Sequence, residues 1–172
     1  MPISLHAAIV PSMSQLLGAA HGWLDKASES GLADTEICEA RLFDDMLPFA
    51  YQIKSMAVHS AGAIEGVRNG SFSPDRSDPP TSFDGLRARL AEAEATLSAI
   101  SEREMESFIG QDMLFSVPDY DIAIPFDAEQ FLLSFSQPNF YFHAVTAYDI
   151  LRMKGVAVGK MDYMGQMRAR AV

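Results

Sequence analysis

Gln137-Pro138-Asn139-Phe140-Tyr141-Phe142-His143 puts a proline, an asparagine and a histidine into a run that otherwise reads as a buried helix. Proline has no N–H to donate, so in a regular α-helix Pro138 leaves the carbonyl of Ser134 unpaired. Asn139 and His143, if buried, each need hydrogen-bond partners. Unmet polar groups gather in this way at functional sites or at specific packing joints. The stretch therefore marks both a helix and a place on it to look.

Around this stretch the spacing predicts one long helix. It starts at Asp127, with Gln130 three residues on as a cap partner, and runs to about Lys154, where Gly155 stops it. At 3.6 residues per turn Leu132, Ser136, Asn139, His143, Thr146, Ala147 and Ile150 share one side, apolar at both ends and polar in the middle. Just before it the period changes from helix to strand. Met113, Phe115 and Val117 alternate, Pro118-Asp119-Tyr120 reads as a turn, and Ile122, Ile124 and Phe126 alternate again. That predicts a β-hairpin, which must pack on helices to be stable.

Three more helices precede the hairpin. Ile9, Met13, Leu16, Leu17, Ala20, Leu24 and Ala27 mark the first, ending near Gly31. A short helical turn is expected after Asp34. The second helix begins between Asp45 and Pro48 and ends at Asn69-Gly70, with Met46, Phe49, Ile53, Ala57, Ser60, Ile64 and Val67 inward. Ser71 to Pro80 reads as an exposed loop. Thr81-x-x-Asp84 predicts a capping box for the third helix, whose buried face is Phe83, Leu86, Leu90, Ala93, Leu97 and Ile100. Glycines 155, 159 and 165 punctuate a tail that lies across the other helices. The expected fold is all-α, a four-helix bundle with a small β-hairpin between helices three and four, in one domain over residues 1–172.

Composition excludes several function classes. Thirteen basic residues against 23 acidic ones give a net charge of −10. Nucleic acid and anionic membrane surfaces both call for a positive face, so neither is an expected partner. No apolar run approaches a membrane span, and no signal peptide is evident, so a cytoplasmic location is expected. The single cysteine, Cys38, forms no internal disulfide. It lies beside acids that raise a thiol pKa, so it reads as a small hydrophobe rather than a nucleophile.

The candidate site joins two helices. On helix two, Gln52, Met56, His59 and Ala63 share a face next to the main apolar stripe. A bundle brings that face against Asn139 and His143, around a polar pocket with Gln52, Asn139 and His143 as ligand-binding residues. His143 is the candidate acid–base group. Two readings of it stand: a core histidine satisfied by hydrogen bonds, and a histidine lining a pocket. Two histidines at i and i+4 make a good metal pair, but here the first is Asn139, a poor ligand for zinc or nickel. His6, His21 and His59 read as surface or boundary residues.

Pro138-Asn139-Phe140-Tyr141-Phe142-His143, Ala147-Tyr148-x-Ile150-Leu151-Arg152, Gly155-Val156, Gly159-Lys160 and Asp162-Tyr163-x-Gly165 together resemble the C-terminal signature of a domain-of-unknown-function branch of the DinB/YfiT-like superfamily. Ala40-Arg41-Leu42, Asp45-Met46 and Pro48 are similar to its entry into helix two. The resemblance implies a four-helix bundle with a pocket at one end. It also implies a divalent metal held by one histidine of helix two and two of helix four, used in some members for thiol-dependent transfer or isomerisation. His143 matches one helix-four ligand, Asn139 stands at the other, and the helix-two position falls near Gln52, with His59 two turns later. The first expectation is therefore a small-molecule-binding bundle with no tightly bound cofactor, possessing a degenerate metal site. The alternatives are a zinc- or nickel-dependent transferase or hydrolase using His59 and His143, and a non-catalytic structural or interaction protein. A homodimer paired through helix faces is compatible with all three.

Overall fold

The computed structural model describes residues 3–170. The chain is mostly helical with a small three-stranded sheet. Helix α1, Leu5–Ser28, starts at Ser4, whose side chain accepts from the Ala7 N–H. Its buried stripe runs Ile9, Met13, Leu16, Leu17, Ala20, Leu24 and Ala27, as the spacing predicts, and Trp23 joins it. A short α2, Asp34–Cys38, comes next.

The second helical stretch begins at Phe49, with Pro48 as its N-cap, a little later than Asp45. It is α3, Phe49–Ala57, then a π-helical segment, Val58–Gly62, then α4, Ala63–Arg68. A helix buried this far round its circumference sits centrally, and α3 buries eight of its nine residues, Lys54 among them. The Lys54 ammonium finds three oxygens in the loop after α4: the Asp75 carbonyl at 2.9 Å, the Ser77 carbonyl at 2.6 Å and the Asp75 carboxylate at 3.1 Å. The loop from Ser71 to Pro80, expected to be exposed, is thus tied down by a buried cation.

Helix α5, Phe83–Ala99, is capped by Ser82, not Thr81: the Ser82 hydroxyl accepts from the Gly85 N–H. A further short helix, α6, Glu102–Ser107, precedes the hairpin. Its strands, β2, Asp112–Val117, and β3, Ile122–Asp127, pair antiparallel, with Phe115 opposite Ile124. A third strand is not anticipated by the sequence pattern. Two residues of the loop, Ser71–Phe72, form β1 and pair parallel to β2, with Phe72 opposite Phe115. A two-residue strand has no period to detect.

The last long stretch is also composite: α7, Ala128–Gln130, a second π segment, Phe131–Ser136, and α8, Gln137–Met153. Pro138 lies inside a continuous helical stretch, directly after the second π segment, since Ser136 and Gln137 ahead of it keep right-handed helical angles. Among the long helices, α1 packs on α5 and α8, and α3 packs on the same two. The tail forms α9, Lys160–Met164, along α1. There the Trp23 indole donates to the Asp162 carbonyl at 2.8 Å and stacks on Tyr163.

Candidate functional site

The two π segments meet. In each, the backbone takes i→i+5 hydrogen bonds, which widen the helix and shift the phase of the residues beyond it. At their crossing the Ser136 hydroxyl donates to the carbonyl of His59 at 3.0 Å and lies 3.5 Å from its Nδ1. Aromatic side chains from the sheet and the second π segment close in around His59. Phe72 and Phe135 lie with ring centroids 5.7 and 5.8 Å away, and Phe115 and Phe131 pack behind them.

His143, on α8, stacks on His59 with ring centroids 5.5 Å apart and planes 17° from parallel. Its Nδ1 is 2.7 Å from the Gln52 Oε1 on α3. The other end of that amide is also fixed, since Gln52 Nε2 donates to the Leu47 carbonyl at 2.7 Å. Tyr51 meets the His143 ring edge-on at 6.1 Å. Both imidazoles are half-buried. Burial first, and the neighbouring His143 second, push His59 from the ordinary 6.5 down to about 3. Burial pushes His143 down to about 4. Both rings are neutral at pH 7.

Of the residues singled out from the sequence, Gln52 and His143 touch. Asn139 does not reach them by hydrogen bonding: its amide nitrogen folds back on its own helix and donates to the Phe135 carbonyl at 2.7 Å. His59, expected at the surface or a boundary, is half-buried and stands against His143. Ser136, Tyr51 and Phe72 carry no distinct sequence signal as site residues; only the polar run on one face of the helix points toward Ser136. Two grooves do not include either histidine. One of about 810 Å³ runs between α1 and residues 161–168. Another of about 430 Å³ is lined by Val58, Ala61, Phe72 and Asp75 among others.

Neither Nε2 has a hydrogen-bond partner among the described residues. No buried side-chain nitrogen or oxygen there is without one, so both Nε2 atoms reach the surface. The pair offers two ring nitrogens, each bare or protonated, at the outer edge of an aromatic-lined joint.

These residues do not fit a three-histidine metal centre. A metal bonds an imidazole nitrogen in the plane of the ring, at ~2.0–2.1 Å for zinc. Two imidazoles supply two ligands, and where a third histidine would stand is Asn139, whose amide nitrogen is turned to the Phe135 carbonyl. Among the described residues, no group of three or more His, Cys, Asp or Glu side chains is placed to hold a metal ion. Nor is any helix there long and apolar enough to cross a membrane.

Residues 5–164 match a family described as a domain of unknown function, DUF1993. No curated protein matches the chain. Among solved structures, it is similar to the crystal structure of a DinB family member protein from Shewanella denitrificans. The two are 26% identical with a TM-score of 0.82, over 98% of this chain and 96% of that one.

Proposed function

The chain belongs to the DUF1993 family, and on that premise we propose that it is a small-molecule-binding protein whose site is the His59–His143 joint. The single observation that carries this reading is the pair of half-buried, neutral imidazoles whose Nε2 atoms lack partners among the described residues and reach the surface. A histidine serving only to fill the core would be expected to satisfy both nitrogens internally. Placement at two π segments supports the reading, because π turns inside α-helices are frequent at functional sites. We read the four long helical stretches as a four-helix bundle of the DinB type, in one domain, with the site where its second and fourth members cross. The want of a third ligand beside the two imidazoles among the described residues favours a function without bound metal over metal-dependent transfer. Pairing of two copies through helix faces, and a cytoplasmic home, complete the proposal.

The test is a fragment screen by native mass spectrometry, on wild-type protein and on His143→Phe. Fragments retained by the wild type and lost by a folded His143→Phe support the reading. Retention by both at equal levels, or no retention by the wild type, removes it.

A further inference from the structure

The hydrogen bonds at the site fix more than its shape. Gln52 is 2% exposed, and its amide is held at both ends. An amide nitrogen donates two hydrogens and accepts none, whereas the amide oxygen only accepts. The nitrogen end faces the Leu47 carbonyl, itself an acceptor, at 2.7 Å. Turning the amide over would set two oxygens against each other there. Oε1 must therefore face His143, and at 2.7 Å the contact requires a hydrogen on His143 Nδ1. A neutral imidazole carries one N–H. With it on Nδ1, the Nε2 that reaches the surface is a bare lone pair.

We propose that the chain Leu47 carbonyl–Gln52–His143 makes this site an acceptor, selective for a ligand that presents a hydrogen-bond donor on an apolar body: an alcohol, amide or amine rather than a carboxylate or phosphate. This rests on the small-molecule reading above and deepens it. The walls supply the apolar half, through Tyr51 beside His143 and Phe72 and Phe135 beside His59. The lysine of α3 gives an anion no help, because Lys54 is 2% exposed and spent on Asp75 and Ser77. Gln52 is a positioning residue, setting which nitrogen of His143 meets the ligand.

The test uses the full chain with ¹⁵N-labelled histidine, at neutral pH and high ionic strength, where repulsion of anions by the net charge of −10 is screened. Nitrogen chemical shifts should show His143 protonated at Nδ1 and bare at Nε2; a proton on Nε2 overturns the proposal. Benzyl alcohol, benzylamine and benzoate are then titrated as matched probes. The alcohol and the ammonium should move the His143 Nε2 resonance saturably, with benzoate at least ~10-fold weaker, the factor one lost hydrogen bond of about 1.4 kcal/mol would give. Benzoate binding as tightly as the alcohol overturns the donor selectivity and leaves the pocket standing. If none of the three reaches either ring, the pocket reading itself falls. Gln52→Glu sets a carboxylate beside Nδ1, so His143 should take up a second proton from solvent and raise benzoate affinity relative to the alcohol. Unchanged preference in a folded Gln52→Glu overturns the role of Gln52, and the wild-type readouts decide the rest if that variant does not fold.

Discussion

His59 and His143 lie side by side with nearly parallel rings, one in a π segment of the second helical stretch and the other on α8, and neither finds a carboxylate partner among its hydrogen bonds. Their stacking couples acid stability to the site. Both have pKa values depressed from 6.5, to about 3 and about 4. In the unfolded chain they take up protons near 6.5, while the folded chain resists. The pair's contribution is thus fully present above about pH 6.5 and is lost as pH falls from there toward about 4 and then 3. A pKa unit corresponds to ~1.4 kcal/mol, and with partial solvent screening the expected loss is on the order of 2 kcal/mol. Urea midpoints followed from pH 7 to pH 4 should fall less steeply in a His59→Leu/His143→Gln double variant than in the wild type. Parallel slopes would show that the rings titrate normally.

Lys54→Met should release the loop it holds. The ammonium satisfies two carbonyls and pairs with Asp75, and losing one partner of a buried charged network costs roughly 1–3 kcal/mol. Hydrogen exchange should accelerate across residues 73–80 and leave α1 unchanged. Protection retained in that loop would mean that β1 alone anchors it.

Gly165→Ala tests the tail. Gly165 has φ +59°, and a Cβ there would lie 2.8 Å from the Ala19 Cβ. Backbone strain and overpacking together predict a loss of about 1–3 kcal/mol. Displacement of α9 should shift the emission of Trp23, which stacks on Tyr163. Wild-type fluorescence and stability would show that the tail adjusts without cost.

Cys38 should be inert. Burial first, then Asp34 and Glu39, push its thiol from 9.0 up to about 11. At pH 8 the native protein should react with an aromatic disulfide at least ~100-fold more slowly than the urea-unfolded chain, since the thiolate is the reacting species. Equal rates would place the thiol outside the core.

Untagged protein should carry well under one equivalent of zinc or nickel after dialysis, because Asn139 stands where a third histidine is required and its amide is bonded to the Phe135 carbonyl. Stoichiometric metal, lost in His143→Ala, would show that the pair rearranges around an ion.

The apolar periodicities are legible in the sequence, as the buried stripes of α1 and α5 show. So is the meeting of Gln52 with His143, because helical spacing puts each on a polar strip facing the other helix. The π segments are not. A constant 3.6 residues per turn from Asp127 to Lys154 places Asn139 and His143 on equal terms. The phase shift over Phe131–Ser136 sets Ser136 against His59, whereas Asn139, still in step with His143 on α8, is withdrawn by its own bond to the Phe135 carbonyl. Lys54 escapes for another reason: its partners are two backbone carbonyls and a carboxylate in a loop, and backbone acceptors leave no mark in composition.

The closure of α1 by α9 sets a timetable for the chain on the ribosome. Trp23 and the Asp162 carbonyl it bonds are 139 residues apart. At ~5–20 residues added per second, the indole waits roughly 7–30 s after its own synthesis for its partner to be made. During that interval the first helix offers an uncovered tryptophan to any chaperone nearby. In the nascent protein, α1 is covered only once α9 has been made.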